Sequence, residues 1–168
     1  KGKYQTSCFF KPELILKALG DTREDIVWLD VDCIVKSNFD GILGDADVAV
    51  TLRRGSGLRD IYDGYINAGV MAFRNNEASR KFIKAWIAKL PGSRADQDAC
   101  NRVLVDGGLV TAGYNEVIEA GGARVMVRSC DEYNFFYFPE KNDAKVYHVK
   151  GSLREQFYQK CVDEVLNG

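Results

Sequence analysis

The apolar positions of the chain fall into short blocks that predict helices and strands in alternation. In the segment 11–19 the apolar side chains share one helical face, with a proline in the first turn and a glycine as a stop signal. The continuous apolar run 26–29, bounded by charged residues, is typical of a buried strand and favours a parallel one. The blocks 48–52 and 69–73 predict two more strands, and the glycine-rich segment 53–64 predicts a loop between them.

The second half of the chain continues the alternation. Apolar side chains from Phe82 to Leu90 line one side of a strong amphipathic helix over 78–90, which a Pro-Gly pair ends. The remaining predicted elements are helices at 96–105 and 153–166, a helical turn at 116–120, and strands at 124–127 and 146–149. This order predicts one α/β domain over residues 1–168, with a mostly parallel sheet and helices on both of its faces.

The composition argues against nucleic-acid binding and a membrane span, and it indicates a reducing compartment. A net charge of −1 over 168 residues provides no basic face for nucleic acid. The apolar stretches are too short to predict a membrane span, and no secretory signal is recognisable. Five cysteines, an odd number without a Cys-x-x-Cys pair, indicate reduced thiols and a cytoplasmic location. They are Cys8, Cys33, Cys100, Cys130 and Cys161.

Two carboxylates at the end of an apolar strand are the most informative feature. Asp30 and Asp32 follow the run 26–29 directly, at the end of the sheet where α/β proteins collect ligands. A hard cation such as Mg²⁺ or Mn²⁺ compensates for carboxylates placed there, because both ions prefer oxygen ligands. An extended backbone would aim both side chains to one face. The alternative is an ordinary strand-to-loop boundary with solvated acids.

Two later segments carry polar groups suited to a ligand. Asn67, Ala68 and Gly69 lead into a buried strand, where a glycine permits close approach and an amide offers both donor and acceptor. Asp96 and Gln97 open a helix, together with a second aspartate. Each segment has a plainer interpretation, the first as a turn before a strand and the second as a helix cap.

The single histidine ends a predicted strand and is followed at once by cations. His148 is succeeded by Lys150, Gly151 and Arg154. A neutral imidazole can complete a metal site, and a lysine with a glycine N–H can meet phosphate oxygens. A structural histidine is the alternative.

Taken in this order, these segments resemble the motifs of the metal-dependent glycosyltransferases of the GT-A fold, in particular the bacterial galactosyltransferase and glycogenin-like branch. That family has an apolar strand ending in Asp-x-Asp, then Asn-Ala-Gly, then Asp-Gln-Asp with a following Asn, then His-x-x-Gly. All four are present between Asp30 and Gly151. The resemblance implies transfer of a sugar from a nucleotide-diphosphate sugar, such as a UDP-sugar, to a hydroxyl of a glycan, lipid or protein.

The resemblance also implies roles for individual residues. The metal ligands for Mn²⁺ or Mg²⁺ would be Asp30, Asp32 and His148. The contacts to the donor would come from Lys11, Asp30, Asn67, Ala68, Gly69, Lys150 and Gly151. Asp96 and Gln97 would face the reacting sugar. For Lys11, which follows Phe9-Phe10, a solvated lysine in a first helical turn is the alternative.

The chain departs from the family pattern at its start. GT-A enzymes place a nucleotide-binding half before the Asp-x-Asp strand, whereas 29 residues precede Asp30 here. The expectation is therefore a GT-A fold truncated at its N-terminus, the C-terminal two-thirds of the whole. A sheet edge left exposed there would favour a homo-oligomer.

Two other functions fit parts of the pattern. A haloacid dehalogenase type phosphatase also uses Asp-x-Asp after an apolar strand, with Asp30 as nucleophile and Asp32 as acid/base. Its later acidic cluster is not well matched, because Gly44-Asp45 comes too early. A domain of the same GT-A fold that binds a sugar nucleotide or glycan without turnover is the third interpretation.

Overall fold

A computed structural model describes residues 9–53, 65–138, 143–151 and 153–167 of the chain. The helices are α1 (Lys11–Asp21), α2 (Glu77–Lys89), α3 (Asp96–Asp106), α4 (Cys130–Tyr133) and α5 (Leu153–Asn167), with a 3₁₀ turn at Leu109–Thr111. The strands are β1 (Ile26–Leu29), β2 (Cys33–Val35), β3 (Val48–Leu52), β4 (Ile66–Phe73), β5 (Val117–Ala120), β6 (Ala123–Ser129) and β7 (Val146–His148). The predicted loop 53–64 lies outside the described residues from 54 onward.

Five strands form one mixed sheet in the order β1-β4-β3-β6-β5. Only β3 and β6 run parallel, whereas β4 is antiparallel to both β1 and β3, and β5 is antiparallel to β6. The prediction of a mostly parallel sheet is therefore wrong. β4 is buried along its whole length and still pairs antiparallel, so burial on two faces does not set strand direction. The run 26–29, predicted to be a buried and parallel strand, forms β1, which is antiparallel and only half-buried because it lies at the edge of the sheet.

The three helices α1, α2 and α3 pack on one face of this sheet. Trp86 and Phe82 of α2 are fully buried in the same cluster as Val50 and Phe73 from the sheet and Ile15 of α1. The helix α2 begins where the Asn76 side chain accepts a hydrogen bond from the Ser79 N–H at 2.9 Å, an N-cap. These contacts form the larger core of the domain and confirm the amphipathic helix predicted from the sequence.

The opposite face of the sheet is covered differently from the prediction. Ile42, Leu43 and Ala46, from the irregular segment before β3, pack with Val70 of β4 and Tyr133 of α4. Of the helices in the described part of the chain, only the four-residue α4 contributes to this cluster. The expectation of helices on both faces is thus only partly right, because an irregular segment supplies most of the second layer.

A second, two-stranded sheet begins directly after the Asp-x-Asp segment. β2 pairs antiparallel with β7, placing Cys33 opposite His148 and Val35 opposite Val146. The C-terminal helix α5 packs near it through a small cluster that contains Tyr147, Phe135 and Cys161. This pairing matters for function because it carries the only histidine of the chain to the Asp-x-Asp segment.

Candidate metal and donor site

The Asp-x-Asp segment forms a tight turn and does not continue the strand. The Cys33 N–H donates to the Asp30 carbonyl at 2.9 Å, and the Asp30 N–H donates to the Gly69 carbonyl at 2.8 Å. Val31, at the tip of the turn, is 97% exposed. The two carboxylates therefore converge because the backbone turns between them, and not because an extended backbone aims both to one face.

His148 completes a cluster of three ligand-type side chains. Its Nε2 lies 3.2 Å from Oδ1 of Asp32. One ligand atom from each of Asp30, Asp32 and His148 lies within 4.8 Å of the others. Asp32 and His148 are buried, whereas Asp30 is half-buried. Two carboxylate oxygens and an imidazole nitrogen that close together are a chemically suitable set for a divalent cation.

The electrostatics of the cluster favour its metal-binding ionisation state. Burial lowers the pKa of His148, and the Asp32 and Asp30 carboxylates offset burial only in part. The imidazole is therefore neutral near pH 7 and has a lone pair to give. Burial works to raise the pKa of Asp32, but the hydrogen bonds from Arg154 hold it below its usual range, so this carboxyl is ionised.

Lys11 lies between two carboxylates on different elements. Its Nζ is 2.9 Å from Oδ1 of Asp30 and 3.1 Å from Oδ2 of Asp96, and it donates to the Ala68 carbonyl at 3.1 Å. Trp28 donates its indole N–H to the same Asp30 oxygen at 2.8 Å. Burial alone would lower the pKa of Lys11, but Asp96 and Asp30 raise it, so the ammonium is retained. Lys11 is thus mostly buried, and the solvated alternative is wrong.

Gly69 lies against the imidazole of His148, and the Asn67 side chain contacts Gly69. The Gly69 N–H donates to the Asn67 side-chain oxygen at 2.9 Å. A β-carbon at Gly69 would overlap the ring atoms Cε1 and Nδ1 of His148. The glycine therefore permits close approach of a histidine side chain to the backbone. Asn67 Nδ2 is buried and has no hydrogen-bond partner among the described residues.

Asp96 and Gln97 both make contacts that stabilise the fold. Gln97 accepts the Ala68 N–H at 3.0 Å, and the Asp96 carbonyl accepts the indole N–H of Trp86 at 2.7 Å. The Asp96 side chain is buried against Lys11. Asp98, in the first turn of α3, accepts the Arg94 N–H at 3.1 Å and so ties the preceding segment to the helix. The structure thus brings Asp96 and Gln97 next to Ala68 and Lys11, at the edge of the cluster.

Lys150 and Gly151 lie in the segment that follows β7. Lys150 Nζ lies 3.8 Å from the ring centroid of Phe136. Burial and the nearby Arg53 lower the pKa of Lys150 to about 8. Gly151 is exposed with φ +60°, in the left-handed region, and open space surrounds the position of its missing β-carbon. The turn therefore favours glycine there.

Two residues to which the sequence analysis gave no role in the site touch the cluster. Asn134 is fully buried, and its Oδ1 lies 3.0 Å from Nδ1 of His148. Arg154 binds Oδ2 of Asp32 from α5. A lone amide inside the aromatic stretch 133–138 was a visible signal for Asn134. Its partner was not visible, because contacts between distant segments depend on the fold.

The comparison with protein families gives a match over nearly the whole chain. The model of the nucleotide-diphospho-sugar transferase family matches residues 1–158. No curated protein matches the chain. Within the described residues, none of the helices has the length and apolar character to cross a membrane. With the Asp30, Asp32 and His148 cluster inside the matched region, the chain belongs to the nucleotide-diphospho-sugar transferase family.

Proposed function

We propose that this chain is a metal-dependent GT-A glycosyltransferase that moves a sugar from a UDP-sugar to a hydroxyl acceptor. The acceptor is a glycan, a lipid or a protein. The observation that carries the proposal is the convergence of Asp30, Asp32 and His148 within 4.8 Å in a chain of this family. The similarity of the ordered motifs to the bacterial galactosyltransferase and glycogenin-like branch supports the same proposal.

The donor set fits Mn²⁺ better than Mg²⁺. Two carboxylates and one neutral imidazole would hold the ion, and Mg²⁺ strongly prefers oxygen ligands and retained water, whereas Mn²⁺ tolerates nitrogen. When bound, such an ion acts as a Lewis acid that offsets the negative charge of the leaving diphosphate. Asp32 and His148 are buried, so water competes weakly for these two ligands.

Two lysines of the chain supply fixed positive charge near the cluster. Lys150, with a pKa of about 8, is mainly protonated at pH 7 and would meet diphosphate oxygens. Lys11 remains charged between Asp30 and Asp96 and holds these carboxylates in place. A preorganised cation in a partly dry site stabilises developing charge more than the same cation in water.

The sugar of the donor is proposed to lie over the start of β4 and of α3. Asn67, Ala68 and Gly69 would line it, and Asp96 and Gln97 would face its reacting carbon. The buried, unpartnered Nδ2 of Asn67 supports this placement, because a buried amide N–H without a partner is costly and an oxygen of a ligand would satisfy it. Gly151 would present its backbone to the diphosphate.

A sugar-nucleotide-binding domain without turnover is the second candidate. It is favoured by Arg154, whose guanidinium already gives Asp32 a cationic partner. Such a site can bind a nucleotide sugar without catalysing release of its nucleotide diphosphate. The haloacid dehalogenase alternative has no support from the family match.

A melting experiment tests the proposal. The protein is titrated with Mn²⁺, with UDP-sugars of different sugar identity, and with both together, while the melting temperature is followed. A ligand at 100 times its Kd stabilises the folded state by about 2.7 kcal/mol. We expect the largest rise when Mn²⁺ and one UDP-sugar are both present, followed by slow release of UDP.

Matched variants sharpen the interpretation. Asp32→Asn should abolish the Mn²⁺-dependent rise, whereas Asp45→Asn, at an exposed aspartate away from the cluster, should leave it intact. Binding of a UDP-sugar without UDP release would favour the non-catalytic candidate. No response to any UDP-sugar, with or without Mn²⁺, would overturn the proposed function.

A further inference from the structure

We propose that Asn134 is a positioning residue that selects the Nδ1–H tautomer of His148 and thereby presents Nε2 to the metal. The inference rests on the proposed metal site but concerns a residue outside the ligand set. It follows from a chain of buried hydrogen bonds that leads from the backbone of β4 to the imidazole ring.

The orientation of the Asn134 amide is determined by a backbone carbonyl. Its Nδ2 lies 3.0 Å from the carbonyl oxygen of Asn67 and 2.7 Å from Oγ1 of Thr51. The Thr51 hydroxyl itself donates to the Asn67 carbonyl at 2.8 Å, so its oxygen is left to accept. A carbonyl oxygen only accepts, so the amide must turn its NH₂ group to Asn67. The reverse orientation would place two oxygens against each other.

The proton of His148 follows from that orientation. With the NH₂ group used, Oδ1 of Asn134 is the atom 3.0 Å from Nδ1 of His148. An amide oxygen accepts only, so Nδ1 must carry the proton. A neutral imidazole carries one proton, so Nε2 has none and keeps its lone pair. This nitrogen lies 3.2 Å from Oδ1 of Asp32. Two acceptors that face each other are stabilised by a cation bound to both.

Burial makes this chain of hydrogen bonds effective. Thr51 and Asn134 are fully buried, and His148 is 4% exposed, so solvent does not offer the ring an alternative partner. Gly69 packs against the Nδ1 and Cε1 edge of the ring and limits its movement. In metal sites an outer partner of this kind typically contributes 10–100-fold to metal affinity, roughly, because it fixes the tautomer and direction of the ligand.

The tautomer is measurable without any metal. His148 is the only histidine of the chain, so protein labelled with ¹⁵N-histidine has a single pair of ring nitrogens to assign. At a pH where the ring is neutral, we expect Nδ1 to have the chemical shift of a protonated nitrogen and Nε2 that of an unprotonated one. The assignment is made from long-range ¹H–¹⁵N correlations in the metal-free protein.

Two substitutions separate positioning from stability. Asn134→Ala removes the acceptor, so the ring should lose its single tautomer and Mn²⁺ affinity should fall about 10–100-fold. Asn134→Asp keeps an acceptor for Nδ1 but places a carboxylate near the Asn67 carbonyl. The Asn134→Asp variant should be less stable than the parent protein, and its His148 should still have the proton on Nδ1. Ser79→Ala, which loses a partly buried hydrogen bond to the Asp47 carbonyl at the start of α2, is the control for lost stability alone.

Mn²⁺ binding is read by electron paramagnetic resonance, with and without UDP. The inference is overturned if the parent protein has its proton on Nε2, or if Asn134→Ala keeps both the tautomer and the affinity. In either case Mn²⁺ binding by the parent protein would leave the proposed function standing. If the parent protein has the Nδ1–H tautomer but binds no Mn²⁺ with UDP present, the proposed metal site fails, and with it the role of Asn134 in metal binding.

Discussion

The backbone of Gly69 lies against the imidazole ring of His148, so closely that a β-carbon at residue 69 would overlap the ring atoms Cε1 and Nδ1. The two residues come from β4 and β7, which belong to different sheets. The position of the histidine therefore depends on the absence of a side chain at residue 69. This contact ties the Asn-Ala-Gly segment to the candidate metal site.

Gly69→Ala should displace His148 and weaken the metal site. We expect Mn²⁺ affinity to fall about 10-fold or more and the free energy of unfolding to fall by about 1–3 kcal/mol, because an overpacked core must shift. Gly20→Ala is the matched control, since nothing lies within 4 Å of the added β-carbon and residue 20 is in α1. The control should be neutral or more stable by up to about 1 kcal/mol. Equal Mn²⁺ affinities for the two variants would contradict the prediction.

Lys11→Met should destabilise the protein strongly. The substitution leaves Asp96 and Asp30 without their shared cation, and a carboxylate buried without its partner costs about 3–5 kcal/mol. Asp30 is partly exposed, so we expect a value near the lower limit, about 3 kcal/mol, in urea denaturation. Added Mn²⁺ should recover part of this loss, because it offers Asp30 another cation. Lys17→Met, at an exposed lysine of the same helix, should show no comparable loss.

Substitutions at Gln97 separate its contact to the fold from its proposed contact to the sugar. Gln97→Glu keeps an oxygen to accept the Ala68 N–H, so stability should change little while sugar transfer falls. Gln97→Ala leaves that N–H unpaired in a buried strand, which costs about 1–3 kcal/mol. Urea denaturation and UDP release are measured on both variants. Full transfer activity in Gln97→Glu would show that the side chain acts on the fold alone.

Stability should fall in alkali partly because of Cys130. Burial raises the pKa of this thiol from 9.0 to about 12, so between these values the unfolded state has lost the proton and the folded state keeps it. The contribution of Cys130 to folding stability is therefore fully present below pH 9 and decreases as the pH rises toward 12. Cys130→Ala should remove one proton from this dependence, a slope of about 1.4 kcal/mol per pH unit. If the free energy of unfolding of the two proteins changed equally with pH in this range, Cys130 would not be a cause of the loss.

The sequence predicted most elements because their apolar patterns are long or well bounded. The helix α2 and the strand β3 have the expected positions to within one residue or so. The predicted helical turn at 116–120 is wrong, since Val117–Ala120 is a strand paired with β6. Gly121 and Gly122, both with positive φ, form the two-residue turn of this hairpin. A Gly-Gly pair between two short segments is a known hairpin signal, so this strand was predictable from turn chemistry.

The candidate site was predictable only in its ligand-type residues. Asp30, Asp32 and His148 stand out because carboxylates and a lone histidine at strand ends have recognisable chemistry. The roles of Asn134 and Arg154 were not predictable, because their contacts to His148 and Asp32 join segments that are separate in the sequence. Strand direction was unpredictable for a related reason, since an apolar run contains no information on the direction of the neighbouring strand.

The pairing of β2 with β7 also determines when the site can exist during folding. Cys33 and His148 face each other in this pairing although they lie near opposite ends of the chain. Contacts between such distant segments form slowly, because the entropy of closing the intervening chain is lost before they are made. We therefore expect the candidate metal ligands to come together among the last steps of folding, after the five-stranded sheet. Acquisition of Mn²⁺ affinity would then report, in a refolding experiment, the docking of the final strand.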